Sequence, residues 1–285
     1  MPPLTRPEGT EPAALHLTRR GAVSMFFAGY ALAAWSADAA PVTTPADGLV
    51  IEEALIPNGA AQNGKGPLPA YVARPKGRAR HAAVVVVNEI FGVHDYIKDV
   101  CRRLAREGYV AVAPEFFYRS GVNLPALTDF AQIRPIVAQA SVGQADGDLR
   151  ATTAWLRRQR FAKPGAVGVT GFCWGGTVAW RAAMVDPDVK AAVAWYGQLK
   201  PLIPRAAELR APVLGLYGER DQGIPVADVQ AMRAAIKAAG AKSEIVLYPE
   251  APHGFHADYR DSYREAAAND GWARLLRHFR ANGVS

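Results

Sequence analysis

Cysteine is nearly missing from this chain: 285 residues contain two, Cys101 and Cys173. Two cysteines at unrelated positions make no disulfide framework, so a packed core must hold the fold. Long apolar runs are scarce as well. The best candidate, Ala22–Ala37, is shorter than the roughly 20 residues a spanning helix needs, and Ser24 and Gly29 interrupt it. Blocks of Lys and Arg interleaved with aromatics are lacking, which sets nucleic-acid binding aside even though the net charge is +7. No fixed-period repeat and no second domain can be read. What is present is ordinary for a globular protein: 50% apolar and 21% charged residues, enough chain for one full α/β core.

The N-terminus carries a targeting pattern. Thr18-Arg19-Arg20-Gly21 precedes the uncharged stretch, and Ala37-Asp38-Ala39 then offers small residues for cleavage. Basic, apolar and small-residue regions in that order describe an export signal, and the adjacent arginines suggest the twin-arginine route into the periplasm. Residues 1–39 are therefore expected to be removed, leaving 40–285 as one domain with no stable membrane span. They hold three basic and three acidic groups, so the charge of the remainder stays at +7.

Along that domain, strands and helices alternate. Leu49–Ile56 and Leu68–Arg74 read as an antiparallel opening hairpin around the Gly- and Asn-rich turn Asn58–Gly66. Ala82–Val87, Tyr109–Ala113, Ala166–Thr170, Ala191–Tyr196, Pro212–Tyr217 and Ser243–Tyr248 read as strands buried on both faces. Helices are expected at Asp95–Glu107, stopped by Gly108, and at Asp148–Arg160, Gly176–Val185, Val226–Ala239 and Ala266–Ala281. Residues 115–144 read as a cap-like excursion with a helix around Leu127–Ala140. The pattern predicts an α/β fold with a mostly parallel, doubly wound sheet.

Directly after the strand Ala166–Thr170 comes Gly171-Phe172-Cys173-Trp174-Gly175-Gly176. A strand ending in Gly-x-Cys-x-Gly and opening a helix matches the nucleophile elbow of α/β-hydrolases, with cysteine in the nucleophile's place. Such a turn is strained and needs nearly side-chain-free neighbours, which Gly171 and Gly175 supply, while Gly176 lets the helix approach the sheet. A buried structural thiol is the competing reading. It loses ground because ligands of parallel sheets bind beyond the carboxyl ends of strands. Those ends present Asn88-Glu89-Ile90-Phe91, Glu115-Phe116-Phe117-Tyr118-Arg119, Cys173, Glu219-Arg220-Asp221 and Ala251-Pro252-His253. Cys173, Asp221 and His253 thus follow the chain order nucleophile, acid, base.

Each residue type suits its place. A helix N-terminus and a neighbouring base favour the thiolate, the nucleophilic form of Cys173. His253 can relay protons near neutrality, and Asp221 can orient it. The backbone N–H groups of Trp174 and Ile90 are candidates for an oxyanion hole. His256 is a second candidate base and Glu219 a second candidate acid. Glu89, following six apolar residues, is expected to enter the pocket, with burial raising its pKa.

These segments resemble the dienelactone hydrolase family, also called carboxymethylenebutenolidase-like. The match runs through Val87–Val93, Pro114–Arg119, Gly171–Gly176, Gly218–Pro225 and His253-Gly254-Phe255. The resemblance implies an α/β-hydrolase fold with a sheet of about eight strands and a Cys–His–Asp triad. It implies hydrolysis of a small lactone or ester without cofactor or metal. It further implies that Glu89 helps form the Cys173 thiolate and that Arg119 binds a substrate carboxylate. Phe91 and Tyr118, beside Ile90 and Arg119, are further candidates for substrate contact. One departure stands out: dienelactone-cleaving members carry a second carboxylate-binding arginine four residues after the histidine, where this chain has Ala257 and then Arg260. An acyltransferase using the same acyl-enzyme is the alternative activity, and a non-catalytic binding protein the alternative class.

Overall fold

A computed structural model of the chain describes residues 42–58 and 66–285. The expected export signal, 1–39, lies outside the described residues, as does most of the turn between the first two strands. Among the described residues no helix is long and apolar enough to cross a membrane.

Eight strands form one sheet in the order β1-β2-β4-β3-β5-β6-β7-β8, numbered along the chain. β1 (Leu49–Ile56) and β2 (Leu68–Pro75) pair antiparallel from Leu49↔Pro75 to Ile56↔Leu68, and β2 meets β4 (Val110–Pro114) antiparallel as well. All later pairings are parallel: β4 with β3 (His81–Val87), β3 with β5 (Ala162–Phe172), then β6 (Val189–Trp195), β7 (Val213–Gly218) and β8 (Glu244–Tyr248). Burial explains the division. Val84 to Val87 are wholly buried, as an unbroken β-branched run in a two-sided parallel sheet should be. β1 at the edge alternates between exposed and shielded residues.

Helices cover both faces: α1 (Asp95–Arg106), α2 (Phe130–Gln139), α3 (Val142–Leu156), α4 (Trp174–Val185), α5 (Val226–Ala238) and α6 (Glu265–Ala281). α1 buries Ile97, Val100, Cys101 and Leu104, and the chain leaves it through Gly108 at φ 92°. Cys101 and Cys173 are both free and buried, and burial pushes the Cys101 thiol well up, keeping it protonated.

Two of the boundaries that differ from the sequence pattern bear on the site. α3 begins at Val142 rather than at Asp148, because Ser141 and Gln144 form a reciprocal capping box that starts the helix a turn and a half early. β5 extends from Ala162 to Phe172, so Cys173 follows its last residue directly. Residues 115–144 hold two short 3-10 turns and α2, whose Ile133 and Val137 are buried.

Candidate active site

The elbow is built from close approaches. Cys173 follows β5, sits at φ 57°, ψ −118°, and caps the N-terminus of α4. A non-glycine residue rarely adopts that backbone, and strain of this kind persists only where the surroundings impose it. They do so here. A Cβ on Gly171 would lie 2.0 Å from the Gly175 carbonyl oxygen. One on Gly175 would lie 2.4 Å from the Val87 oxygen and 2.6 Å from that of Asn88, and one on Gly176 would lie 2.4 Å from the Trp195 oxygen. The elbow helix therefore presses against the carboxyl ends of β3 and β6 with no room for a methyl group.

That contact brings the loop after β3 to the helix terminus. Trp174 is the first helical residue, so its N–H has no intrahelical acceptor. Ile90, 1% exposed, lies in the loop that Gly175 touches. Two hydrogen bonds stiffen this loop: Asn88 Nδ2 donates to the Glu89 carbonyl at 2.6 Å, and Val93 N–H donates to Glu115 Oε2 at 2.9 Å.

His253 and Asp221 lie on the loops after β8 and β7. Nδ1 of His253 is 2.7 Å from Asp221 Oδ2, while Oδ1 accepts from the N–H groups of Gly223 at 2.8 Å and Ile224 at 3.1 Å. The aspartate cannot turn away, and it holds one ring nitrogen of the histidine. Burial by itself lowers the His253 pKa. The charges of Asp221 and Cys173, and hydrogen bonds to both, outweigh it and raise the value to about 10. Cys173, His253 and Asp221 thus form one connected chain of groups. The other two candidates sit apart. His256 bonds through Nδ1 to the Tyr96 hydroxyl at 2.6 Å amid Trp195 and Trp272, and burial pushes its pKa down to about 3. Glu219 is exposed.

Glu89 is wholly buried, as its position after β3 implies, but its pKa moves opposite to the expected direction. Burial pushes it up. Arg260 at 3.5 Å from Oε1, His94 at 3.4 Å from Oε2 and the Tyr259 hydroxyl donating to Oε2 at 2.7 Å bring it down to about 2. The site also contains Arg260, which the sequence offers only as the arginine nearest to Ala257. Its guanidinium donates to the Tyr259 hydroxyl at 2.7 Å and lies 4.8 Å above the Phe91 ring. A turn through Ala257–Arg260, closed by the Arg260 N–H on the Ala257 carbonyl, carries it there.

Arg119 is paired within the chain. Both of its terminal nitrogens donate to Asp148 of α3, at 2.6 and 2.7 Å, and that carboxylate is wholly buried. A substrate carboxylate would compete with a bidentate partner already in place. Tyr118 points its hydroxyl to Asn58 Nδ2, from which it accepts at 2.6 Å, and to the Gly66 carbonyl at 3.3 Å. Tyr259, His94 and Tyr196 join the site without belonging to the motifs that mark it in the sequence. Tyr196 follows β6, so the strand-end rule applied to that strand would find it.

Acid and alkali are expected to erode this site from opposite sides. The raised His253 pKa gives stability that is complete below about 6.5 and is lost as pH rises through about 10. The lowered Glu89 pKa gives stability present above about 4.5 and lost as pH falls through about 2. Urea midpoints of wild type and Glu89→Gln from pH 7 to pH 2 read the second effect. Their difference should shrink in the acid window; a difference independent of pH refutes an ionised Glu89.

The chain is similar to known proteins along most of its length. The model of the dienelactone hydrolase family matches residues 68–283. A protein of Methylorubrum extorquens named "Putative carboxymethylenebutenolidase" is 46% identical over 281 residues, 94% of either chain. One of the same name from Escherichia coli K12 is 43% identical over 269 residues, 90% of this chain and 96% of its own. A crystal structure described as a "Putative Dienelactone Hydrolase" from Klebsiella pneumoniae superposes with a TM-score of 0.76 at 43% identity, covering 81% of this chain and 98% of that one. With the fold and these relatives in agreement, the chain belongs to the dienelactone hydrolase family and is a lactone or ester hydrolase.

Proposed function

We propose that this protein cleaves a small lactone or ester through a thioester on Cys173. The observation that carries the reading is the strained Cys173 backbone at the N-terminus of α4, joined through His253 to Asp221. A helix N-terminus favours negative charge, and an imidazolium beside the sulfur supplies the counter-charge for a thiolate. The thiolate attacks the carbonyl carbon, and the oxyanion forms against the N–H groups of Trp174 and Ile90. His253 gives its proton to the departing oxygen, which in a lactone stays attached to the acyl group. Water then takes the thioester apart with His253 as base. Asp221 holds the imidazole tautomer throughout.

The same reading bears on substrate class. With Arg119 engaged by Asp148 and Arg260 beside Glu89, each guanidinium already faces an anion. A carboxylate on the substrate is therefore no requirement, and simple esters and lactones fit. The proposal extends to location: the pattern in residues 1–39 directs the chain through the twin-arginine route to the periplasm.

Acid quenching during turnover of p-nitrophenyl acetate, followed by peptide mass analysis, tests the chemistry. The peptide containing Cys173 should gain the mass of one acetyl group, and the gain should vanish when substrate is exhausted. Steady turnover with an unmodified Cys173 peptide at every time point would overturn the thioester.

A further inference from the structure

Among the buried polar atoms near the triad that have no hydrogen-bonding partner among the described residues are the Tyr196 hydroxyl and Glu89 Oε1. Neither is used by the steps above. Tyr196 comes directly after β6 at φ 40°, a left-handed backbone that a tyrosine seldom adopts. Contacts on both sides impose it. The Tyr196 N–H donates to the Leu216 carbonyl of β7 at 2.8 Å. On the other side, Gly197 packs so tightly on the elbow helix that a Cβ there would lie 2.3 Å from Gly176 and Thr177 backbone atoms.

The turn delivers the ring to the catalytic pair. Tyr196 lies edge-on to His253 at 5.0 Å between centroids, with Phe255 at 5.3 Å and Phe172 at 6.4 Å. The ring is completely enclosed, yet its hydroxyl is left alone, where a buried tyrosine ordinarily finds a partner. Burial first, and then the Glu89 charge, hold the hydroxyl protonated; Cys173, Tyr259 and Arg260 act on it as well. It is therefore a donor, within the field of the Glu89 carboxylate, whose Oε2 is taken by Tyr259. Oε1 of that carboxylate accepts no hydrogen bond, with Arg260 standing off at 3.5 Å.

A lone donor and a lone acceptor select their ligand. A carboxylate brings only acceptors and meets the Glu89 charge. An alkyl group leaves both atoms unpaired, at the cost buried polar groups always carry. A hydroxyl satisfies both, and the smallest one is water.

We propose that Tyr196 and Glu89 hold the water that deacylates Cys173, an inference that rests on the thioester reading. Tyr196 donates to the water oxygen, and one water hydrogen points to Glu89 Oε1. The other points to His253 Nε2. The remaining lone pair attacks the thioester carbon while that second hydrogen passes to Nε2. The C–S bond then breaks, its electron pair returns to Sγ as the thiolate, and the carboxylic acid departs and loses its proton to solvent. Imidazolium and thiolate are left facing one another. Nothing is oxidised or reduced. Tyr196 is thus a positioning residue for the second half-reaction alone.

Tyr196→Phe removes the hydroxyl and little else. Quenched-flow mass analysis with p-nitrophenyl acetate should show acetyl-Cys173 forming within about twofold of the wild-type rate and decaying about tenfold more slowly. The Tm should be unchanged or higher, since an unpartnered buried hydroxyl is lost. Unchanged decay overturns the proposal, and so does a variant in which formation and decay slow together while the Tm falls. The two readings fail differently. If wild-type Cys173 never acquires an acetyl group, the thioester and the water site fall together. If acetyl-Cys173 forms but its decay ignores the Tyr196 hydroxyl, only the water site falls.

Discussion

Replacing Cys173 by alanine is expected to lower p-nitrophenyl acetate turnover by about 10⁴-fold or more, since the residues of a triad act as a unit. The loss should come with little change in Tm, because the side chain is small and the strain at φ 57° lies in the backbone imposed by the glycines around it. Cys173→Ser sharpens the test. The His253 pKa of about 10 draws part of its elevation from Cys173. Serine supplies no comparable anion, so the imidazole of that variant loses one of its counter-charges. Serine is also the weaker nucleophile and depends more on a base to take its proton. Activity in the serine variant should stay about 10²-fold or more below wild type. Wild-type rates in the alanine variant, read by the same assay, would restore the view of Cys173 as a buried structural thiol.

The second large effect concerns a residue without a side chain. Gly175→Ala places a methyl group 2.4 Å from the Val87 carbonyl oxygen and 2.6 Å from that of Asn88. Both obstacles are backbone, so no rotamer can relieve them. α4 must withdraw from the end of β3, and Trp174 moves away from the loop that holds Ile90. We expect a loss of about 1–3 kcal/mol in stability and about 10²-fold or more in kcat, the order seen when an oxyanion donor is lost. Gly143→Ala is the control: it lies in α3 with nothing within 4 Å of the new methyl group. That change should be neutral or stabilise by up to about 1 kcal/mol. Urea midpoints and kcat for both variants check the contrast. Equal stability and activity for Gly175→Ala would mean that the elbow does not need the contact.

Much of this site is legible in the amino-acid sequence, and the reason is geometric. In a parallel sheet the chemistry gathers at strand ends, so a residue directly after an apolar run has its location settled by local pattern. Cys173, Asp221, His253 and Glu89 can be placed that way, and the glycines around Cys173 follow from the turn that the motif needs. Charge states are another matter. Burial alone predicts a raised Glu89 pKa, yet Arg260, His94 and Tyr259 decide it, and Arg260 and Tyr259 stand about 170 positions away. Arg119 likewise meets Asp148, 29 residues on, in a helix whose start Ser141 and Gln144 set by capping. Tyr196 carries a readable signal at the end of β6, but its unpartnered hydroxyl does not.

The amino-acid sequence by itself determined the alternation of strands and helices, the placing of Cys173, Asp221 and His253 at strand ends, and the glycines that admit a strained cysteine. Those features depend on neighbours in the chain, on periodicity and on steric limits that hold within a few residues. Only the tertiary structure decided which charges meet: Arg260 with Glu89, Arg119 with Asp148, and Tyr196 beside His253 with its hydroxyl unclaimed. Those pairings depend on crossings of distant segments, where an ångström of separation in a buried site sets whether a carboxylate is ionised and whether a hydroxyl finds a partner.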